Sequence, residues 1–173
     1  MKTNDEWYEE ARALCGAALQ RMARGYEADP ERCRDLLQEI HLELWRSLRL
    51  YDERCGLRTW VFRVAHNVAA SHIVRERRTR SRLVELEALE ALPGSVDGEG
   101  AAARRHAVGQ LLERIHRLKP LDRQVILLYL EGEAAGAIAE ITGISPSNVA
   151  VRIHRIKKLL HREPEGGTID AGR

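Results

Sequence analysis

The chain has 173 residues and a formal net charge of +2, a size that fits one helical domain or two small ones. No apolar run is long enough to span a bilayer, no charged-then-apolar leader opens the chain, and Cys15, Cys33 and Cys55 are odd in number, widely spaced and without a C-x-x-C pair. These features argue against membrane insertion, export, a disulfide frame and a metal site, and they suit free thiols in the reducing cytoplasm. The small net charge hides a sorting by segment. "RERRTRSR" at 75–82 carries five arginines against one glutamate, while 83–103 carries five acids and no Lys or Arg. Such sorting suits a protein that meets phosphate with some surfaces and keeps an acidic connector away from them.

The first predicted helix covers 5–27, with Trp7, Ala11, Leu14, Ala18 and Met22 turned to a core, and closes at "YEADP". In "PERCRDLLQEIHLELWRSLRLYD", Leu36, Leu37, Ile40, Leu44 and Leu48 recur at helical spacing, and Leu42 and Trp45 widen the apolar arc. The polar side, Asp35, Gln38, Glu39 and Glu43, is too acidic for nucleic acid and suits a protein partner, although periodicity alone allows a plain solvated face equally. After the turn "DERCG", the stretch "LRTWVFRVAHNVAASHIVRERR" is expected to pack through Trp60, Val61, Val64, Val68 and Ile73, leaving Arg63, His66, Asn67 and the terminal arginines available. Trp60 belongs to the core before it belongs to any stacking platform. Three helices enclose one small core.

"ELEALEALPGSVDGEGAAA" loses the wide apolar arc and reads as an acidic linker, with a short helix over 83–92 compatible with its Leu, Glu and Ala content. The pattern resumes at His106 with Val108, Leu111, Leu112, Ile115 and Leu118, and Pro120 opens a helix buried through Leu121, Val125, Leu128 and Tyr129. "AAGAIAEITG" gives a short helix packed through Ile138, Ala139 and Ile141. In "GISPSNVAVRIHRIKKLL", Gly143 suits a turn, Ser145 a cap and Pro146 a first helical position. Val149, Ile153, Ile156 and Leu160 then form a buried stripe, with Ser147, Asn148, Val151, Arg152, Arg155 and Lys158 turned away from it. The spacing of Ala139, Gly143 and Val149 is that of a helix-turn-helix, and on this segment alone a helical hairpin with a solvated basic face is the alternative. The fold class is all-α. Two small helical domains, residues 1–82 and 106–165, are joined by the linker 83–105 and followed by a tail at 166–173.

Two stretches resemble one family, in order. "DLLQEIHLELWRSLRLYDERCGLRTWVFRVAHNVAASHIVRERR" is similar to region 2, and "LERIHRLKPLDRQVILLYLEGEAAGAIAEITGISPSNVAVRIHRIKKLL" to region 4, of the extracytoplasmic-function group of sigma-70 factors. The resemblance implies a factor that binds core RNA polymerase and directs promoter recognition and opening. It implies that Asp35, Gln38, Glu39, Leu42 and Trp45 dock on the clamp of the polymerase β′ subunit, that the linker runs through the polymerase, where the β subunit also contributes, and that an anti-sigma factor controls the protein. For the −10 element it implies a pocket at Cys55, Gly56 and Leu57, with polar and phosphate contacts from Arg58, Arg63, Asn67, Arg75, Arg77 and Arg78. For the −35 element it implies Ser147, Asn148, Val151, Arg152, Arg155 and Lys158 in the major groove, Arg152 and Arg155 on phosphate or guanine and Asn148 on a base edge. No cofactor is expected.

The chain departs from that pattern at Ala134 and Ala137, where the family often has a capping serine and a glutamate, and at Ala150 and Val151, where a basic and a small polar residue are usual. With Gly136 in the same stretch, the start of that helix is expected to fray. These losses bear on base reading at −35 more than on the fold. An enzyme is disfavoured, since no spaced ligand set, H-E-x-x-H helix, phosphate loop or nucleophile motif is present. A polymerase-independent helix-turn-helix regulator accounts for 134–160 and leaves the acidic helix and the arginine run without a role.

Overall fold

The computed structural model describes the backbone of residues 2–83 and 99–161 and the side chains of 2–76 and 103–161. Its regular elements are α1 (Asn4–Tyr26), α2 (Pro30–Ser47), a 3-10 turn (Leu48–Leu50), α3 (Leu57–Leu83), α4 (Glu99–His116), α5 (Pro120–Leu130), α6 (Ala135–Thr142) and α7 (Pro146–His161), with no strand among the described residues. The helix ends follow local chemistry. Thr3 and Glu6 cap α1 reciprocally, and the Asp29 carboxylate accepts from the Glu31 and Arg32 amides with Pro30 at the first position of α2. Gly143 ends α6 at φ 75°, a left-handed conformation that a residue with a Cβ adopts only at a cost. α6 begins at Ala135 with no side-chain cap, its first turn closed by the Ile138 amide on the Ala134 carbonyl at 3.0 Å.

α1, α2 and α3 pack on one another, as do α5, α6 and α7. From α2, Leu36, Ile40, Leu44 and Leu48 are buried as their spacing predicts. Two other stripes are displaced from expectation. On α1, Leu14 is 52% exposed, and Cys15 and Leu19 are buried with Ala11, Ala18 and Met22. On α3, Val61 and Ile73 are buried as expected, but the line is completed by Phe62, Ala65, His66, Ala69 and His72, so His66 is interior rather than available. These residues recur at three and four, and Phe62, the largest of them, decides which arc turns inward. Val64 and Val68 flank the core.

In the second half, α5 buries Val125, Ile126, Leu127 and Leu128 against Ile115 of α4, Ile138 and Ile141 of α6, and Val149 and Ile156 of α7. Val108, expected inside, is exposed. Tyr129, also expected inside, is at the surface, its hydroxyl accepting from Lys157 Nζ at 2.6 Å and its ring 4.3 Å from the same ammonium. α4 starts at Glu99, within the expected linker, because the alanine run Ala101–Ala102–Ala103 and the arginines after it favour helix despite Gly100. The expected helix over 83–92 and the tail at 166–173 lie outside the described residues, apart from Leu83 at the end of α3. No described helix is long and apolar enough to cross a membrane.

The two halves touch: α1 packs against α4 and α5, and α3 against α6. Arg21 meets Glu131 through two hydrogen bonds, at 2.9 and 2.7 Å, and His116 contacts the Arg24 carbonyl at 2.9 Å. Gly25 lies under Leu127, so close that a Cβ there would sit 2.4 Å from one Leu127 methyl and 2.9 Å from the other. Replacing a helical glycine by alanine ordinarily stabilises by about 1 kcal/mol. Here Gly25→Ala is expected to destabilise instead, by roughly 1–3 kcal/mol of overpacking in urea denaturation, with part of the loss recovered in Gly25→Ala/Leu127→Ala. A stabilised single variant would mean that α1 and α5 do not pack this way in solution.

Candidate nucleic-acid interface

The outer face of α2 carries Asp35, Gln38 and Leu42 in the open, with Glu39 and Trp45 half-buried beside them. Glu39 is bound by Arg75 Nη2, which lies 2.7 and 2.6 Å from its two oxygens. The Trp45 indole N–H donates to Asp5 at 2.8 Å, and Arg49 covers its ring at 4.7 Å. The five residues therefore form one surface, acidic at one end and apolar at the other.

The turn after α2 is braced from beneath. Trp7, Tyr51 and Trp60 pack in series, Trp7 edge to face on Tyr51 and Tyr51 tilted on Trp60, with ring centroids 5.0 and 5.4 Å apart, and the Tyr51 hydroxyl donates to the Cys55 carbonyl at 2.8 Å. The Trp60 indole N–H reaches Ser47 Oγ at 3.1 Å, which explains why this ring is half-buried support rather than a free platform. Glu53, at φ 58°, holds the turn in a left-handed conformation rare for a residue with a side chain. Cys55 is half-buried and Gly56 exposed. Leu57 does not line an open pocket: it is 9% exposed, because it sits one turn before Val61 and belongs to the core.

The arginines expected near this turn are engaged by acids of the same chain. Arg58 pairs with the Glu133 carboxylate, donates to the Glu131 carbonyl at 3.1 Å and lies over the Phe62 ring. Arg63 contacts the carbonyl and carboxylate of Glu140, both at 3.3 Å. Asn67 is exposed on the same side of α3, and the side chains of Arg77 and Arg78 lie outside the described residues. Glu133 and Glu140, from the second half, thus pair with two of the arginines expected at this turn.

On α7, Ser145 caps the helix by accepting from the Asn148 amide at 3.3 Å, as expected. Ser147, Asn148, Val151, Arg155 and Lys158 face solvent. Arg152 does not: its side chain is only 25% exposed and is drawn back to Asp122, Nη1 to Oδ1 at 2.6 Å, with Nε donating to Asn148 Oδ1 at 3.0 Å. Arg155 closes on the same carboxylate at 2.9 and 2.8 Å. Asp122, buried in the first turn of α5, is where negative charge is favoured by the helix dipole.

Residues 14–79 match sigma-70 region 2, and residues 109–160 match sigma-70 region 4. The chain belongs to the sigma-70 family. It falls in the extracytoplasmic-function group, and it is a transcription initiation factor. A relative, the ECF RNA polymerase sigma factor SigX of Bacillus subtilis (strain 168), is 22% identical over 141 residues, covering 79% of this chain and 73% of the relative. Two solved structures share the fold. One is the sigma factor RpoE in complex with the anti-sigma factor NepR from Bartonella quintana, with a TM-score of 0.64, 18% identity and coverage of 88% of this chain and 93% of that one. The other is CnrH in complex with the cytosolic domain of CnrY, with a TM-score of 0.60, 21% identity and coverage of 88% and 84%.

Sequence reasoning about this sigma factor passed over Asp122, Arg123 and the three glutamates 131, 133 and 140. One signal was present: "LDRQVILLYL" places two charges inside a helix otherwise apolar almost all round, and such charges need partners. His66 was misplaced for the opposite reason, since a histidine between apolar positions carries no mark of its burial. Its Nδ1 meets the Tyr26 hydroxyl at 2.5 Å and its Nε2 has no protein partner. Burial pushes the imidazole down to about 3 and the Tyr26 phenol upward.

The folded histidine value is depressed, so as pH falls the unfolded chain takes the proton first. The sigma factor is therefore expected to lose stability from about pH 6.5 downward, at about 1.4 kcal/mol per unit for this one group. His66→Gln, which keeps a polar partner for Tyr26, should flatten that slope between about pH 6.5 and 4.5 in urea denaturation. His41, lowered by burial and by Arg12, leaves a residual slope in the same direction. An unchanged slope in the variant would place His66 in water.

Proposed function

We propose that this sigma factor docks on core RNA polymerase through the outer face of α2, holds the −10 element as single strand at the 51–56 turn and the outer face of α3, and sets the polar face of α7 in the major groove at −35. Region 2 spans 1–82 in this reading and region 4 spans 106–165. The observation that carries it is the pair of regional matches, in order along one chain, with α7 turning Ser147, Asn148, Val151, Arg155 and Lys158 outward. Asp35, Gln38, Glu39, Leu42 and Trp45 make the polymerase contact. Cys55 and Gly56 flank the base, while Arg58, Arg63, Asn67, Arg75, Arg77 and Arg78 serve backbone and polar contacts. An anti-sigma factor is the natural regulator, given that one structural neighbour is bound to one.

Two features of the fold refine this. Arg152 is half-buried against Asp122 and acts on DNA through Asn148, while Arg155 and Lys158 take phosphate. Arg58 and Arg63 must exchange Glu133 and Glu140 for phosphate before region 2 can hold a strand, so the two halves part when the promoter is engaged.

Run-off transcription from a promoter library with core polymerase tests the reading, and initiation that depends on the added protein is the expected result. Glu39 is a compromised probe of docking, because reversing its charge also repels Arg75. Asp35→Arg is cleaner and is expected to weaken core binding about tenfold with unchanged circular dichroism. Full affinity in that variant would remove α2 from the contact. Glu133→Gln/Glu140→Gln should raise the affinity of the free protein for a single-stranded oligonucleotide by about threefold, more at low salt, measured by fluorescence anisotropy. No gain would mean that these pairs do not compete with phosphate.

A further inference from the structure

The hydrogen bonds around Arg152 decide which way the Asn148 amide faces. A guanidinium has donors and no acceptor, so the Asn148 atom 3.0 Å from Arg152 Nε is its oxygen. The amide NH2 is therefore turned outward on a residue that faces solvent. Arg152 is itself fixed by the buried Asp122, and Arg155 grips the other side of that carboxylate. Asp122 and Arg152 are thus positioning residues for Asn148.

An asparagine that reads adenine uses its oxygen and its NH2 together. Here the oxygen is turned back to Arg152, which holds one of its lone pairs, so the group that Asn148 presents outward is its NH2. Three residues on, and hence on the same face of α7, Val151 is 67% exposed. In the major groove, thymine presents an acceptor, O4, beside a methyl group; guanine has acceptors and no methyl, and cytosine has a donor at the corresponding place. We infer that Asn148 and Val151 together read a thymine edge in the −35 element, the amide NH2 on O4 and the valine methyls on the C5 methyl. Val151, where the family usually carries a small polar residue, then becomes a base-reading residue rather than a loss. This rests on the reading that α7 enters the −35 major groove.

The test uses the full chain with core polymerase on a template library randomised across the −35 element, which yields the preferred site. Each thymine of that site is then replaced by uracil, which removes only the methyl, and by 5-methylcytosine paired with guanine, which keeps the methyl and converts the acceptor to a donor. At one thymine, 5-methylcytosine is expected to lower transcription about tenfold and uracil about threefold. Val151→Ala should abolish the uracil effect, and Asn148→Ala the 5-methylcytosine effect. Arg152→Gln leaves Asp122 paired with Arg155 and frees the Asn148 oxygen, so adenine should become about as good as thymine at that position. Val151 is exposed, so its substitution leaves folding intact, checked by circular dichroism. A ranked library in which no thymine shows these responses, or in which Val151→Ala and Asn148→Ala leave them in place, overturns the inference while −35 reading stands. A library on which the unaltered protein shows no ranking overturns both.

Discussion

Two consecutive charges, Asp122 and Arg123, are buried at the start of α5, and they tie it to α7 on one side and to the end of α4 on the other. Asp122 draws Arg152 and Arg155 down onto α5 and so sets the rotation of α7 about its axis. Arg123 points the opposite way, donating to the carbonyls of Ile115 and His116 at the end of α4 and of Leu118 beyond it, and lying 6.0 Å from the Tyr26 ring. A buried charge without a partner would cost several kcal/mol, so each fixes its neighbours by what it would lose if they moved. Apolar packing of Val125 and Leu128 could tolerate small rotations of α7; the carboxylate between two guanidiniums tolerates far less.

The same physics joins the halves in a weaker form. Gly25 lets α5 approach α1 to van der Waals contact, and the interface is rimmed by Arg21–Glu131, Arg58–Glu133 and Arg63–Glu140. Such rim pairs, partly solvated, are worth little individually and are screened by salt. That strength suits a contact that, in the proposed function, gives way to a polyanion. Two of the three arginines, Arg58 and Arg63, are among those assigned to phosphate in the proposed promoter-bound state.

By contrast, the 51–56 turn is built to stay put. Trp7, Tyr51 and Trp60 support it from below, the Tyr51 hydroxyl holds the Cys55 carbonyl, and Glu53 sits in a left-handed conformation that only a well-determined surrounding maintains. In the proposed function a single-stranded base placed there meets a fixed surface, which lowers the ordering cost of capture.

From the residues alone, the helical class, the start of α7 at Pro146, the buried line of α2 and the order of the two regions were all legible. Each rests on local chemistry or on a period that an isolated helix already displays: a cap, a proline at a first position, leucines at three and four. The arc of α3 that turns inward was not legible, because Val64 and Val68 compete with Phe62 and Ala65 until a neighbouring helix decides between them. Neither was the role of Arg152, which by its position in the helix belongs with the outward residues and by its partner Asp122, thirty positions earlier, is drawn inward. The opposed faces of Arg58 and Glu133 are separated by 75 residues and a linker, and no local pattern couples them. Local propensity and periodicity are properties of a segment; the pairing of buried and half-buried charges depends on which segments meet, and only the tertiary structure brings them together.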